Sequence, residues 1–344
     1  MSLPALSPYH LSLALTLPGL LLLWRNLRFR FYASRRARKI PHAQERVLIL
    51  GASSGVGRSV AHVYVKRGAK VCIVGRRRDK LDDVARECRA MARGGAQVLM
   101  VKADCADPEE MVSLRERLEE EWQGLDTVII TAGVSALRPM MSNAGVEMDP
   151  RHPPKSQATA EGLTHAISVS NAAITGNFTG PLVSALSLIP LLTLTSRSPS
   201  ILLLSSAAAV IPAPTRALYA ATKAASLLLY QALAIEHPQI AFTFFLAGTI
   251  EGDFRASAVD KALPPNLTSS GSGSDSSEPT PLVREANPAK HGLKVGWVAQ
   301  RCAQAVDRGE KNVFTPMYMR FGHLFYWIVP AYVEWRARVK YRYT

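Results

Sequence analysis

Residues 46–57 read RVLILGASSGVG, and they decide the fold. Residues 46–50 are a short apolar run suited to a buried parallel strand, GASSGVG is a tight turn, and residues 60–66 continue with helical apolar periodicity. Strand, glycine turn and helix make a phosphate-binding unit. Gly51, Gly55 and Gly57 let the backbone turn sharply and approach a pyrophosphate, while the free amides and dipole at the helix start favour its negative charge. The three-then-one spacing is not the usual GxGxxG, so the turn alone also reads as ordinary loop punctuation.

Five further apolar runs follow: 71–74 (VCIV), 98–101 (VLMV), 127–130 (TVII), 201–204 (ILLL) and 241–246 (AFTFFL). Between most of them lie helix-like segments such as 78–92 and 108–122. This alternation predicts an α/β fold, a Rossmann-type doubly wound parallel sheet with both faces covered.

Tyr219 and Lys223 stand four residues apart, with Ser206 upstream. Residues at i and i+4 share a helix face, so a phenol and an ammonium can point at one reacting centre. The competing reading puts Tyr219 in a core, leaves Lys223 solvated and lets Ser206 merely end a strand.

In this order, the elements resemble the short-chain dehydrogenase/reductase family over roughly residues 44–255, with a looser tail to about 316. The glycine motif falls on Gly51, Gly55 and Gly57, the family serine on Ser206 and its Tyr-x-x-x-Lys pair on Tyr219 and Lys223. The family asparagine falls on Asn177 in ITGNFTG. Three loops depart from the pattern. Asn-Asn-Ala-Gly is here Ile130, Thr131, Ala132 and Gly133; Pro-Gly is Ala247 and Gly248; Thr-Gly is Leu50 and Gly51.

The resemblance implies hydride exchange with a carbonyl. Negative charge develops on the carbonyl oxygen, and Tyr219 is the acid that protonates it. Lys223 is expected to lower the phenol's pKa and to hold the nicotinamide ribose. Ser206 is expected to orient the oxygen, and Asn177 to hold a proton-relaying water. Cofactor contacts are expected from Gly51, Ser53, Ser54, Val56, Ala132, Gly133 and Thr249, besides Gly55, Gly57 and Lys223. After the second strand come Gly75, Arg76, Arg77 and Arg78, with no acid until Asp79. Arginine there suits the extra phosphate of NADPH, with Arg76 and Arg77 as its contacts. Asp104 either caps the adenine or serves a turn or helix cap.

The first 24 residues contain no Lys, Arg, Asp or Glu, and Arg25, Arg28, Arg30, Arg35, Arg36, Arg38 and Lys39 follow. Positive charge after the apolar run favours an anchor over a cleaved signal. The positive-inside rule then places the enzyme in the cytosol, on the endoplasmic reticulum or a related membrane. Pro8 and Pro18 interrupt the run, so an interfacial insertion competes with a span. The expected division is an anchor at 1–24, a basic linker at 25–43, the catalytic domain at 44–316 and an aromatic, basic interface segment at 317–344. Two inserts interrupt the domain: a variable one at 140–164 and a Gly/Ser/Pro-rich one at 263–290, expected to be disordered.

The net charge of +14 sits beside apolar segments, which favours anionic lipid over nucleic acid. Cys72, Cys88, Cys105 and Cys302 are too scattered for a disulfide framework or a zinc set. No metal is expected in the chemistry. Apolar residues on several sides of the Asn177 and Tyr219 helices, with the family's habit, imply a homodimer. The expected function is reduction of a carbonyl, or oxidation of a hydroxyl, on an apolar lipid-like substrate. Among family members with such anchoring, the hydroxysteroid dehydrogenases and the 3-ketosphinganine or acyl-dihydroxyacetone-phosphate reductases are the nearest models, with no ranking among them. A non-catalytic NADPH-binding membrane scaffold or redox sensor is the alternative, favoured by the altered Thr131 and Ala247 loops.

Overall fold

The computed structural model describes residues 8–148, 152–154, 156–261, 291–341 and 343. Seven strands form one sheet: β1 (Arg46–Leu50), β2 (Lys70–Gly75), β3 (Val98–Lys102), β4 (Thr127–Ile130), β5 (Ser200–Ser206), β6 (Ala241–Ala247) and β7 (Asn312–Thr315). Their spatial order is β3-β2-β1-β4-β5-β6-β7, and every pair is parallel. The order reverses between β1 and β4. In such sheets the crevice beyond the strands' carboxyl ends at that point is where ligands bind.

Alternation along the strands feeds two cores. Val47 and Ile49 of β1 join Val71 and Ile73 beneath α2 (Gly55–Lys66), α3 (Arg78–Met91) and α8 (Val295–Arg308). Leu48 and Leu50 join Cys72 and Val74 on the other face, under α4 (Pro108–Trp122), α6 (Gly180–Thr195) and α7 (Ala217–Glu236). Both faces are dry, which is why these strands read as unbroken apolar runs. The six expected strands and the helices at 78–92 and 108–122 are present within a few residues; β7 was not expected.

α5 (Ala160–Ile174) continues through a π turn, Thr175–Thr179, into α6. By length and composition the runs 160–195 and 217–236 are apolar enough to cross a membrane, yet both lie against the domain and carry site residues. The expected variable insert contains a 3-10 turn, Met140–Ala144, and the start of α5. The Gly/Ser/Pro-rich stretch at 263–290 lies outside the described residues.

α1 (Pro8–Lys39) is a single helix running across the expected anchor and linker boundary. Its end is fixed beneath the sheet. Arg36 is buried and donates to Glu45 Oε1 at 2.9 Å, Thr127 Oγ1 at 2.8 Å and Ser200 Oγ at 3.3 Å, at the entrances to β1, β4 and β5. Burial alone would raise the Glu45 carboxyl; the Arg36 charge, the nearby His42 ring and the hydrogen bonds from Thr127 and Arg36 overcome it and hold it down at about 2. At the other end of the sheet, α9 (Met319–Ile328) rests on Val210, Ile211 and Gly248, and α10 (Pro330–Tyr341) follows it.

Candidate active site

The glycine turn is built from close approaches. Gly51 has φ +88, and a Cβ there would press on the Ala132 backbone nitrogen at 2.5 Å. Gly57 is buried in the first turn of α2, where a Cβ would strike the Gly51 carbonyl and the Thr131 hydroxyl. Gly55, with φ +55, begins α2 and faces open space. Ser54 makes no side-chain cap, so the leading amides of α2 stay available to an anion. A pyrophosphate fits that opening, since the leading amides are uncapped and a Cβ on Gly55 would meet nothing within 4 Å.

Arg77 lies over the turn, donating to Ser53 Oγ at 3.0 Å and Ser54 Oγ at 2.9 Å. Arg76 is 3.6 Å from Asp104 across the next loop. Asp104 accepts from the Ala106 amide at 3.0 Å, so its carboxylate already shapes its own turn; the cap of α4 is Asp107. Val56 begins α2 beside Gly57, and the Thr249 carbonyl accepts from Leu293 at 2.9 Å, tying the loop after β6 to the segment before α8.

The acid/base residues meet at the carboxyl ends of β4 and β5. Ser206 ends β5, and its hydroxyl accepts from the Ala208 amide at 3.1 Å. Tyr219 and Lys223 share one face of α7. Lys223 is buried, donates to the Leu204 carbonyl at 3.3 Å, and burial lowers it to about 8. It is not the solvated residue of the competing reading. Asn177 is wholly buried on the π turn, which turns its amide toward the loop after β4. Its Oδ1 accepts from the Val134 amide at 2.9 Å, and its Nδ2 donates to the Val134 carbonyl at 3.0 Å and to Thr222 Oγ1 at 3.1 Å. Gly133 joins these parts: a Cβ there would lie 2.9 Å from Asn177 Oδ1 and 3.1 Å from Lys223 Nζ.

One expectation fails in its physics. Burial pushes the Tyr219 phenol up rather than down, and the groups opposing it are the Ser206 hydroxyl and the Arg216 charge, not Lys223. Lys223 spends its hydrogen bond on Leu204 instead. Tyr219 is half-buried, with the Phe254 ring edge-on at 6.1 Å.

Three contributors escaped the sequence reading. Thr222 anchors Asn177. Arg216, at the position just before α7 and three residues before Tyr219, reaches Ser135 Oγ at 3.4 Å. Thr131 replaces the expected asparagine, and its hydroxyl donates to the Leu50 carbonyl at 2.7 Å. This substitution therefore keeps the glycine turn tied to the strand end, and nothing in the sequence announced it.

Residues 45–262 match the family described as short chain dehydrogenase. The chain belongs to the short-chain dehydrogenase/reductase family. As a short-chain dehydrogenase/reductase it is an oxidoreductase acting on CH–OH and C=O groups. It is 28% identical over 294 residues to an 11-beta-hydroxysteroid dehydrogenase-like 2 from Arabidopsis thaliana, covering 84% of this chain and 79% of that one. It is 26% identical over 296 residues to an 11-beta-hydroxysteroid dehydrogenase A from Arachis hypogaea, covering 86% and 75%. Among solved structures, a short-chain dehydrogenase/reductase from Burkholderia phymatum in complex with NAD superposes with a TM-score of 0.64 at 15% identity, covering 84% and 95%. An alcohol dehydrogenase from Thermococcus sibiricus complexed with 5-hydroxy-NADP gives 0.58 at 18%, covering 79% and 94%. Those likenesses establish the fold.

Proposed function

We propose that this short-chain dehydrogenase/reductase uses NADPH to reduce a carbonyl of an apolar, lipid-like substrate at a membrane surface. The observation carrying the reading is the clustering of two pairs at the strand ends, Asn177 with Lys223 against Gly133 and Tyr219 with the Ser206 hydroxyl. NADPH supplies hydride when bound. Ser53, Ser54, Gly55 and the α2 amides would hold its pyrophosphate, and Arg77 with Arg76 its extra phosphate, since guanidinium forks match phosphate geometry. Tyr219 donates the proton to the substrate oxygen, and Ser206 hydrogen-bonds the same oxygen to orient it. Burial raises the phenol above its ordinary value, which suits Tyr219 to give a proton to the substrate oxygen in reduction and to take it back in the reverse reaction. Lys223 holds the ribose near the acid. Asn177, rigid on the π turn, keeps Val134 and Gly133 in place, and a proton-relaying water beside it is part of the proposal.

Support for an apolar substrate comes from α9. Its Met319 abuts Gly248 and its His323 ring bonds the Val210 carbonyl at 3.0 Å, so it lies beside the loop that follows Ser206. Phe321, Phe325, Trp327 and Ile328 remain exposed on it, as do Leu23, Trp24, Leu27 and Phe31 on α1. Aromatic and apolar side chains beside cations suit a bilayer interface. The names of the relatives add hydroxysteroids to the candidate substrates. The cytosolic face of an endoplasmic reticulum-type membrane, and pairing of two copies through exposed Leu228 and Ile235 of α7, complete the proposal. The wholly buried Asn177 lies in a sequon but is inaccessible to glycosylation. Oxidation of NADPH, with NADH alongside, by detergent-solubilised protein against ketosteroids, 3-ketosphinganine and acyl-dihydroxyacetone phosphate tests the reading. NADPH-preferring turnover of one lipid ketone supports it; NADH preference, or turnover confined to small polar aldehydes, contradicts it.

A further inference from the structure

At the opposite end of the sheet from Tyr219, three side chains from separate elements converge. His42 lies in the short turn after α1, Glu45 leads into β1, and Asp307 is in the last turn of α8. Their ligand atoms lie within 4.8 Å of one another, with His42 Nδ1 at 3.7 Å from Glu45 Oε2. His42 Nδ1, Glu45 Oε2 and Asp307 Oδ1 are all buried atoms without a hydrogen-bond partner, and Glu45 itself is 0% exposed. Orphaned carboxylate oxygens are costly in a folded chain, and with the neutral His42 ring turning Nδ1 to the same place a cation would satisfy all three.

The outer oxygens are already committed. Glu45 Oε1 is held by Arg36 and Thr127, and Asp307 Oδ2 by Arg67 at 2.9 Å. Each carboxylate thus presents one free oxygen inward, in a fixed orientation, which is how outer partners prepare metal ligands. A cavity of about 370 Å³, lined by His42, Asp307, Arg36 and Gln304 among others, opens beside them and has room for water.

We propose that His42 Nδ1, Glu45 Oε2 and Asp307 Oδ1 form a zinc site, completed by a water from the adjoining cavity. One nitrogen and two oxygens suit zinc, whose ligands lie ~2.0–2.2 Å from the ion, so a small rotation of Asp307 closes the set. Arg36 and Arg67 offset the carboxylate charges as well as orienting them, which makes the site a weak one. Its effect is mechanical. One ion ties the end of α1, the start of β1 and α8 together and fixes the N-terminal helix against the catalytic domain.

Full-length protein in detergent, stripped with EDTA, is titrated with zinc while its thermal midpoint is followed, and His42→Gln and Asp307→Asn are run beside it. The expected result is a saturable rise of about 3–6 °C in the parent, absent in both variants. His42 is partly exposed, so its variant folds with a metal-free midpoint near the parent's. No zinc-dependent rise in the parent, or an equal rise in His42→Gln, overturns the site. Failure here leaves the reductase reading untouched, because NADPH turnover is not part of the measurement.

Discussion

Lys223 sits at a cost to the fold. Its ammonium is buried with one carbonyl for a partner, and its pKa falls from the ordinary 10.5 to about 8. The native state therefore holds this proton less tightly than the unfolded chain does, so its contribution to stability rises as pH climbs from about 8 to about 10.5 and is unfavourable below. Lys223→Met is expected to abolish turnover and yet stabilise the protein at pH 7 by about 1–3 kcal/mol, measured by denaturant midpoint. Arg77→Ala is expected to raise the KM for NADPH about 10- to 100-fold while leaving that for NADH within a factor of two or three, because only the extra phosphate loses a charged donor. At this scale much was legible. Tyr219, Lys223 and Ser206 showed as a spacing, and the structure gathers them at the end of β5 and the start of α7. The direction of the Tyr219 shift was not legible, since it depends on how deeply the phenol is packed, and Lys223's choice of Leu204 depends on where β5 ends.

Between α5 and α6, five residues adopt π geometry, and that irregularity holds Asn177 against the Val134 backbone. A regular helix would carry the amide away from the loop after β4. Asn177→Ala leaves the buried Val134 amide and carbonyl unpaired, so a loss of about 2–4 kcal/mol in unfolding free energy is expected, together with reduced kcat. Gly51 and Gly57 are equally bound by geometry. The strands were readable because their apolar runs are buried on both faces. β7 was not: Asn312–Thr315 has only four residues, with an exposed asparagine, and it is a strand because β6 offers it an edge. The role of Thr131 was hidden for a similar reason, since a hydroxyl's partner is set by tertiary contact.

Across the whole molecule, the N-terminal helix packs against α8 and is fixed to the catalytic domain by a buried charge pair, Arg36 with Glu45. Arg36→Met removes the buried guanidinium from Glu45, leaving it the Thr127 hydroxyl and the nearby His42 ring, and about 3–5 kcal/mol is expected to be lost, whereas Arg28→Met on the exposed part of the same helix stays within ±0.5 kcal/mol. Glu45, held down at about 2, contributes stability that is fully present above pH ~4.5 and lost as pH falls toward 2, a span worth roughly 3 kcal/mol. An acid titration followed by circular dichroism should show that loss in the parent and a smaller one in Glu45→Gln. The sequence displayed Arg36 only as one of seven cations following an apolar run. Its separate role arises from the position of α1, which periodicity cannot supply.

The most direct test of the central claim pairs two measurements on Tyr219→Phe: NADPH binding by fluorescence quenching, and NADPH oxidation with the best lipid ketone. The account predicts binding within about twofold of the parent and turnover reduced at least 10²-fold, as expected for loss of a positioned acid. A Tyr219→Phe protein that binds NADPH and still turns over at the parent's rate would contradict it.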